Sequence, residues 1–531
     1  MKKSINLLKI LRVTLAVIMF SLLTFFFVDF TNSLSSKWHV LAHIQFIPAV
    51  LNGALAGILI AAAIILLTLL FGRIYCSVIC PMGVFQDIAA WFSKKIGGKK
   101  KKYSYSKPKT VLRWSVLAVL ILSAITIGFS GYFNPVSLLE PYSAFGRMAT
   151  HIFRPIYQFG NNILEAIFTS FGDYTFYKSE IFFNLTSFLV AIITFFGIGF
   201  FAFRNGRTFC NTLCPTGTIL GFASKFSLFK IRIDTEKCNS CGLCAAKCKA
   251  ACINSKEHKI DYSRCVDCFD CLGSCKKNAL GFSVKKKEVK EVRGVKEVRE
   301  VIEVKEKVDA DKRKFIATGL FTALSLPTLL AQGKEIILKG GQKIRTRKTP
   351  LSPPGSQSHE HLLKKCTACH LCISRCPSKV LKPAFAEYGL AGMMMPTMKF
   401  DDGFCNYSCT ECSSVCPNGA LLPLTKEQKK ATQMGKVQFN RDICVVVQQE
   451  HNCGACSEHC PTQAVKMMPY KDGLTIPTIN TDLCIGCGGC EFICPVRPER
   501  AIFIEGNEKH EEAKVQQEGK VEKIVIDGFG F

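Results

Sequence analysis

The sequence predicts a multidomain membrane protein in which an α-helical membrane domain is joined to α+β ferredoxin domains of the bacterial two-cluster, 2[4Fe–4S] type. Three observations lead there. The 29 cysteines of the 531-residue chain are packed into short sets with one recurring spacing. Long uncharged runs alternate with basic loops up to Phe203. The text at the ends of the second and fourth runs is nearly duplicated.

The apolar runs come first. Ile10–Val28, Ala49–Phe71, Trp114–Phe133 and Ile181–Phe203 predict four spans, each near the length that crosses a bilayer. The stretch Arg73–Lys109 carries nine Lys or Arg, whereas Asn134–Glu180 carries only Arg147, Arg154 and Lys178. The positive-inside rule therefore places the amino terminus, the lysine-rich loop and the chain after Phe203 in the cytoplasm of a bacterial inner membrane. No small-residue cleavage site follows Val28, so the first run reads as an uncleaved helix. The net charge of +27 gives no reason to invoke nucleic acid. Much of it flanks the apolar spans, and six clusters with their thiolates would offset about 12 units. No phosphate-binding glycine loop or dinucleotide fingerprint is present, which argues against a resident nicotinamide or flavin.

The duplicated text is Gly72-Arg-Ile-Tyr-Cys76-x3-Cys80-Pro81-x-Gly83 and Gly206-Arg-Thr-Phe-Cys210-x3-Cys214-Pro215-x-Gly217. Two units of the same orientation related by a pseudo-two-fold axis would bring Cys76, Cys80, Cys210 and Cys214 together. Such a group could bind a metal or cluster or act as a thiol–disulfide switch. The plainer reading is two unconnected buried pairs. His39, His43 and Gln45, just before the chain re-enters the membrane, are candidates for accepting a quinol proton. Glu140 is a weaker one.

The cysteine sets follow the Cys-x2-Cys-x2-Cys-x3-Cys cadence of [4Fe–4S] ferredoxins. They are Cys238/Cys241/Cys244/Cys248, Cys265/Cys268/Cys271/Cys275, Cys366/Cys369/Cys372/Cys376 and Cys484/Cys487/Cys490/Cys494. Looser copies are Cys405/Cys409/Cys412/Cys416 and Cys444/Cys453/Cys456/Cys460. Six quartets predict six clusters. Disulfide scaffolds belong to small secreted chains, and zinc knuckles are separated by longer gaps. Cys366-Thr-Ala-Cys369-His370 resembles a haem-attachment site but lies inside a complete quartet. Cys252 is left over and reads as a buried thiol. Lys249 and Lys276, where ferredoxins usually have proline, should raise the potential of the adjacent clusters.

Residues 1–230 thus form the membrane domain and 231–283 a dicluster ferredoxin, with Cys275 completing the first set and Cys248 the second. Residues 284–310 read as a charged linker, and 311–332 as a fifth transmembrane or twin-arginine-like segment. A linker at 333–359 leads to a four-cluster domain at 360–531. There, sequential pairing of the quartets and first-with-fourth pairing are both open. The Glu- and Lys-rich stretch around 505–520 reads as a solvated loop before a strand at Val521–Ile526. Met393, Met394, Met395 and Met398 fit packing near a cluster better than copper.

Paired Cys-x3-Cys-Pro motifs at the ends of spans, followed by a dicluster ferredoxin, resemble the NapH-type membrane component of quinol dehydrogenases, with NosR-like and CcoG-like relatives. The C-terminal half resembles NapG/MauM-type four-cluster ferredoxins. This resemblance implies a fusion that oxidises quinol from the membrane pool and passes electrons to a periplasmic cytochrome or reductase, with the C-terminal domain periplasmic. The rival readings are a CcoG-like copper reductase and an iron–sulfur redox sensor.

Overall fold

The structure is a computed structural model describing residues 2–31, 36–97, 102–130, 135–181, 184–275, 277–284 and 347–514. Residues 1–284, 347–496 and 500–531 make one unit, and 285–346 with 497–499 a second. The expected linker at 284–310, the fifth segment at 311–332, Lys276 and the strand at Val521–Ile526 lie outside, or almost wholly outside, the described residues. Of the linker 333–359, only the part from residue 347 is described.

The apolar runs form helices α1 (Lys2–Val28), α2 (Leu55–Phe71), α4 (Thr110–Ser130) and α6 (Leu185–Asn205). Between them lie α3 (Pro81–Gly97) and α5 (Pro141–Met148). Among the described residues, Leu7–Val28 and Leu185–Asn205 are long and apolar enough to cross a membrane, while Leu55–Phe71 and Thr110–Ser123 are shorter apolar helices. The expected single span Ala49–Phe71 is broken. Phe46–Asn52 is a separate helix that ends where Gly53 adopts φ +70°. Asn52 is turned outward there: its Nδ2 donates to Pro417 O at 3.0 Å, and its carbonyl accepts from Lys365 Nζ at 2.8 Å. Helix α3 lies within the lysine-rich loop and is two-faced. Met82, Phe85, Gln86 and Ala90 are buried, whereas Trp91, Phe92 and Ile96 are exposed.

Residues 229–284, which hold the first two expected cysteine quartets, are bounded by a pair of strands. Strand β1 (Phe229–Ile233) pairs antiparallel with β2 (Leu280–Val284), closing the segment end to end. Among the described residues the C-terminal domain has three antiparallel strand pairs: Leu381–Pro383 with Pro396–Met398, Val465–Pro469 with Thr475–Ile479, and β3 (Thr432–Phe439) with β4 (Ile502–Glu512). Strand β4 corrects the first part of the expected loop at 505–520, as far as Glu512. Ile502 and Ile504 point into the core beside Val437, and Gly506 lies against the Pro350 carbonyl, where a Cβ would come within 2.2 Å. Burial on one face outweighs the polar residues on the other.

The two ferredoxin parts meet opposite ends of the same helices. Lys9, near the start of α1, pairs with Asp270, and Asp29, just past its end, pairs with Arg375. At about 1.5 Å per residue the 27-residue α1 spans about 40 Å. The start of α2 is approached by Lys365 and Pro417, and its end by Leu228 and Asp267.

Candidate iron–sulfur centres and the four-thiol site

In the quartets whose neighbours can be traced, three cysteines close in sequence are joined by one distant cysteine. In the first ferredoxin, Cys271 lies within electrostatic reach of Cys268, Cys248 and Cys265, and Cys244 near Cys238 and Cys241. Cys248 thus lies with the second set, as the crossed pairing expected from the spacing requires, and Cys271 is also within reach of Cys244. In the C-terminal domain the pairing is sequential. Cys416 neighbours Cys366, Cys369 and Cys372, while Cys376 neighbours Cys405, Cys409 and Cys412. Cys494 neighbours Cys444 and Cys456, and Cys460 neighbours Cys484, Cys487 and Cys490. The long Cys444–Cys453 gap is taken up by the short helix Val445–Gln448.

The donor chemistry fits cationic iron. Burial pushes the thiols of Cys268, Cys366 and Cys456 up to about 12, and those of Cys405, Cys484 and Cys487 up to about 11. So many buried sulfurs become thiolates at neutral pH only when a metal core supplies the opposing charge. Backbone amides already point at sulfur, as from Ala279 to Cys275 at 3.2 Å and from Gly486 to Cys484 at 3.4 Å. Such donors tune a cluster's potential. Cys248, Cys252, Cys265, Cys268 and Cys271 line one small pocket of about 10 Å³, with Ile231, Ile253 and Val266 as its apolar wall. Cys252 is buried, with its Sγ 3.5 Å from that of Cys248.

Lys249 does not act as a free cation beside its cluster. Its ammonium lies 3.0 Å from Asp87 and 3.1 Å from Asp270, so the expected rise in potential is largely cancelled. The methionines pack as expected: Met395 and Met398 are buried in the core that holds Cys405 and Cys412.

The repeat motifs converge. Cys76, Cys80, Cys210 and Cys214 are all buried in one core and act electrostatically on one another. The two cysteines of a pair do not share one continuous helix. Cys76 and Cys210 sit in the short helices Ile74–Val78 and Thr208–Thr212. Cys80 and Cys214 directly precede helices that begin at Pro81 and Pro215. Cys214 caps its helix, its sulfur accepting from Gly217 N at 3.3 Å, and the Gly83 amide does the same for Cys80. This explains the fixed offsets of proline and glycine, since proline suits the first helical position. A Cβ at Gly83 or Gly217 would lie 2.0 or 2.1 Å from the carbonyl of Cys76 or Cys210.

The arginines of the motif cross over. Arg207 NH1 donates to Cys76 O at 2.6 Å, and Arg73 NH2 to Cys210 O at 3.4 Å and Cys76 Sγ at 3.7 Å. Gln86 Nε2 lies 3.0 Å from Cys210 Sγ. Both units also dock on the first ferredoxin: Arg73 N donates to Asp267 Oδ2 at 3.0 Å, and Arg207 N to Lys249 O at 2.8 Å.

The quinol candidates part company. The His39 and His43 rings meet edge to face at 5.2 Å. Gln45 is fully buried, and its amide oxygen accepts from Tyr75 Oη at 3.0 Å. Glu140 is the buried N-cap of α5, accepting from the amides of Tyr142 and Ser143. Sequence reasoning missed the His151–His370 pair, in which Nε2 and Nδ1 are 2.7 Å apart. It lies where the loop after Cys369 meets Ala149–Phe153. Nothing in the spacing of those two histidines signalled it.

Comparison with known proteins agrees with this chemistry. A family model described as "4Fe-4S binding domain" matches residues 54–99 and 186–234, the two repeat units, and one described as "4Fe-4S dicluster domain" matches residues 451–497. The chain is 33% identical over 176 residues to the methylamine utilization ferredoxin-type protein MauM of Methylobacillus flagellatus, covering 31% of this chain and 74% of the relative. It is 29% identical over 163 residues to the ferredoxin-type protein NapG of Escherichia coli, covering 29% and 69%. It is 28% identical over 154 residues to the ferredoxin-type protein NapF of the same species, covering 29% and 85%. No solved structure matches. These matches identify iron–sulfur electron transfer of the ferredoxin type, and the chain belongs to the MauM ferredoxin-type family.

Proposed function

We propose that this protein is a membrane-bound relay that takes electrons from the quinol pool and passes them, through six [4Fe–4S] clusters, to a periplasmic reductase or its redox partner. The reading joins a NapH-like membrane part of four spans to a NapG/MauM-like ferredoxin. One observation carries it: ferredoxin parts occupy opposite ends of a helix set whose outer faces are apolar. On α6, Ile193 and Phe196 are 69% and 64% exposed, and on α2 Leu55 is 73% exposed. Continuous exposed apolar stripes of this kind suit lipid rather than water. The lysine-rich loop adjoins the first ferredoxin, which would then be cytoplasmic.

Two places suit a quinol ring. One is the His39–His43 pair, where His43 Nε2 is buried with no hydrogen-bond partner among the described residues. The other is an open cleft of about 610 Å³ between α1, α3 and the first ferredoxin. Its apolar wall includes Val13, Val17 and Ile88, and the buried Tyr103 hydroxyl there has no hydrogen-bond partner among the described residues. Reduction of the clusters by added quinol in anaerobic membranes, followed through their visible absorbance, tests the relay. A reporter fused after Gln332 tests the sidedness. Absence of quinol-dependent bleaching, with Cu(II) reduction lost in a C76S/C210S variant, would favour the copper-reductase reading.

A further inference from the structure

The four quartets of the C-terminal domain fall into two halves, and two of the quartets meet where the halves touch. The Cys405 amide donates to the Cys487 carbonyl at 2.9 Å, so the set Cys376/Cys405/Cys409/Cys412 joins the set Cys460/Cys484/Cys487/Cys490 backbone to backbone. Cys405 and Cys487 also lie within electrostatic reach of each other. Beside them the rings of Phe404 and Phe492 are 5.9 Å apart.

Lys429 sits at this junction. It belongs to the short helix Lys426–Ala431, whose start is fixed by reciprocal hydrogen bonds between Thr425 and Gln428. The residues that follow it touch both sets. Lys430 Nζ lies 5.4 Å from the centre of the Tyr407 ring, in the loop between Cys405 and Cys409, and Gln433 Nε2 donates to Cys484 O at 2.6 Å. The Lys429 side chain is fully buried, and among the described residues its ammonium has no hydrogen-bond partner and no carboxylate within ion-pair distance. It lies within electrostatic reach of Cys405, Cys409, Cys412 and Cys487. His510 of β4 is also within reach and supplies no anion.

We propose that Lys429 is the shared counter-cation of these two centres, that it raises the potentials of both, and that electrons cross between the halves at this point. The crossing and its direction rest on the relay reading, with quinol as the reductant; the tuning by Lys429 does not.

An ammonium buried without an anion is strongly unfavourable. Each centre with its four thiolates is anionic, and its reduction adds one more negative charge. A cation held beside both in low-dielectric surroundings therefore favours the reduced form of each. Lys249 of the first ferredoxin has no such effect, because Asp87 and Asp270 cancel it. Position makes the effect selective. The strongest charged neighbours of Cys444 and Cys456 are cysteines of their own set, and those of Cys366 and Cys369 are Cys416, Cys366 and Glu140. The Cys366 set lies against the helices, where Cys369 packs in their core. The crossing moves one electron: the centre on the Cys405 side is oxidised and the one on the Cys487 side is reduced. No ligand bond changes and no proton moves.

The test uses the full chain purified anaerobically, as wild type, K429M and K429R, with each centre's potential read by dithionite titration under paramagnetic resonance. C409S and C460S, each lacking a ligand of one set, identify the two signals. In K429M the reduction of both should become at least tenfold less favourable, a fall of about 59 mV for one electron. Iron content and the other signals should stay as in the wild type. K429R keeps the charge and should leave both potentials close to wild type. No shift in K429M, a shift in signals other than the two identified, or equal displacement in K429R and K429M would overturn the proposal. A shift confined to one of the two would overturn the shared role. Should K429M lose its iron, K429Q removes the same charge and is read in the same way. Dithionite replaces quinol in this titration, so failure of the relay reading would leave the potentials decisive, and unshifted potentials would leave the relay reading standing.

Discussion

Replacement of Gly206 by alanine should uncouple the first ferredoxin from the helices, and do so more strongly than the same change at Gly72. The two glycines occupy equivalent places in the repeat, with φ of +75° and +78°. Strain from a side chain in that backbone region costs about 1–3 kcal/mol at either position. They differ in what the new methyl meets. At Gly206 a Cβ lies 2.2 Å from Lys249 O and 3.0 Å from its carbonyl carbon, all backbone. At Gly72 it lies 2.2 Å from Asp267 Oδ2, the end of a side chain that can swing aside. Overpacking against rigid backbone adds about 1–3 kcal/mol, and displacing Asp267 forfeits its hydrogen bond to Arg73 N, about 1 kcal/mol. The totals are about 4 kcal/mol for G206A and about 3 kcal/mol for G72A, so docking should weaken roughly a thousandfold in the first and several-fold less in the second. Hydrogen exchange of the amides in 229–284, with protease cleavage of the same segment, reads this directly. Wild-type protection in G206A, or a larger effect from G72A, would refute the reasoning.

Further outcomes follow from other contacts. Burial alone would raise the Asp87 carboxyl, but Arg207, Lys249 and Arg12 hold it far below the usual range. D87N leaves the buried Arg12 and Arg207 without a carboxylate, and Lys249 with Asp270 alone, and should cost about 3–5 kcal/mol, seen as a lower Tm by calorimetry. Burial, with His359 and Lys429 nearby, brings His510 down to about 4. The unfolded chain therefore takes up a proton first, so the stability from neutral His510 is complete above about pH 6.5 and falls away towards pH 4. H510Q should remove up to about 3 kcal/mol of that acid sensitivity in denaturant titrations. C369S should lose about four irons while C252S loses none, measured by iron analysis. If the α1–α3 cleft seats quinol, Y103F should raise KM for quinol severalfold with dithionite-reducible clusters unchanged. A shift in H43Q instead would assign the ring to the opposite end.

What sequence alone determined was chemistry carried by near neighbours. Cys-x2-Cys-x2-Cys is a local ligand set, because three thiolates in one loop can grip a cluster wherever the loop lies. The doubled Gly-Arg…Cys-x3-Cys-Pro-x-Gly text was readable too, since proline and glycine there serve the helix start that follows each second cysteine. The tertiary structure decided everything that depends on which loops meet. It brought Cys416 to Cys366 and Cys494 to Cys444, a choice left open by spacing because the fourth ligand comes from the partner half. It cut the run Ala49–Phe71 at Gly53, because Asn52 is drawn out to Pro417 and Lys365, residues more than 300 positions away. It also turned the Glu-rich stretch after Ile502 into a strand, where two buried isoleucines outweigh the polar residues between and after them. Ligand type is set by side chains a few bonds apart, whereas pairing and docking are set by packing between segments whose separation no local pattern encodes.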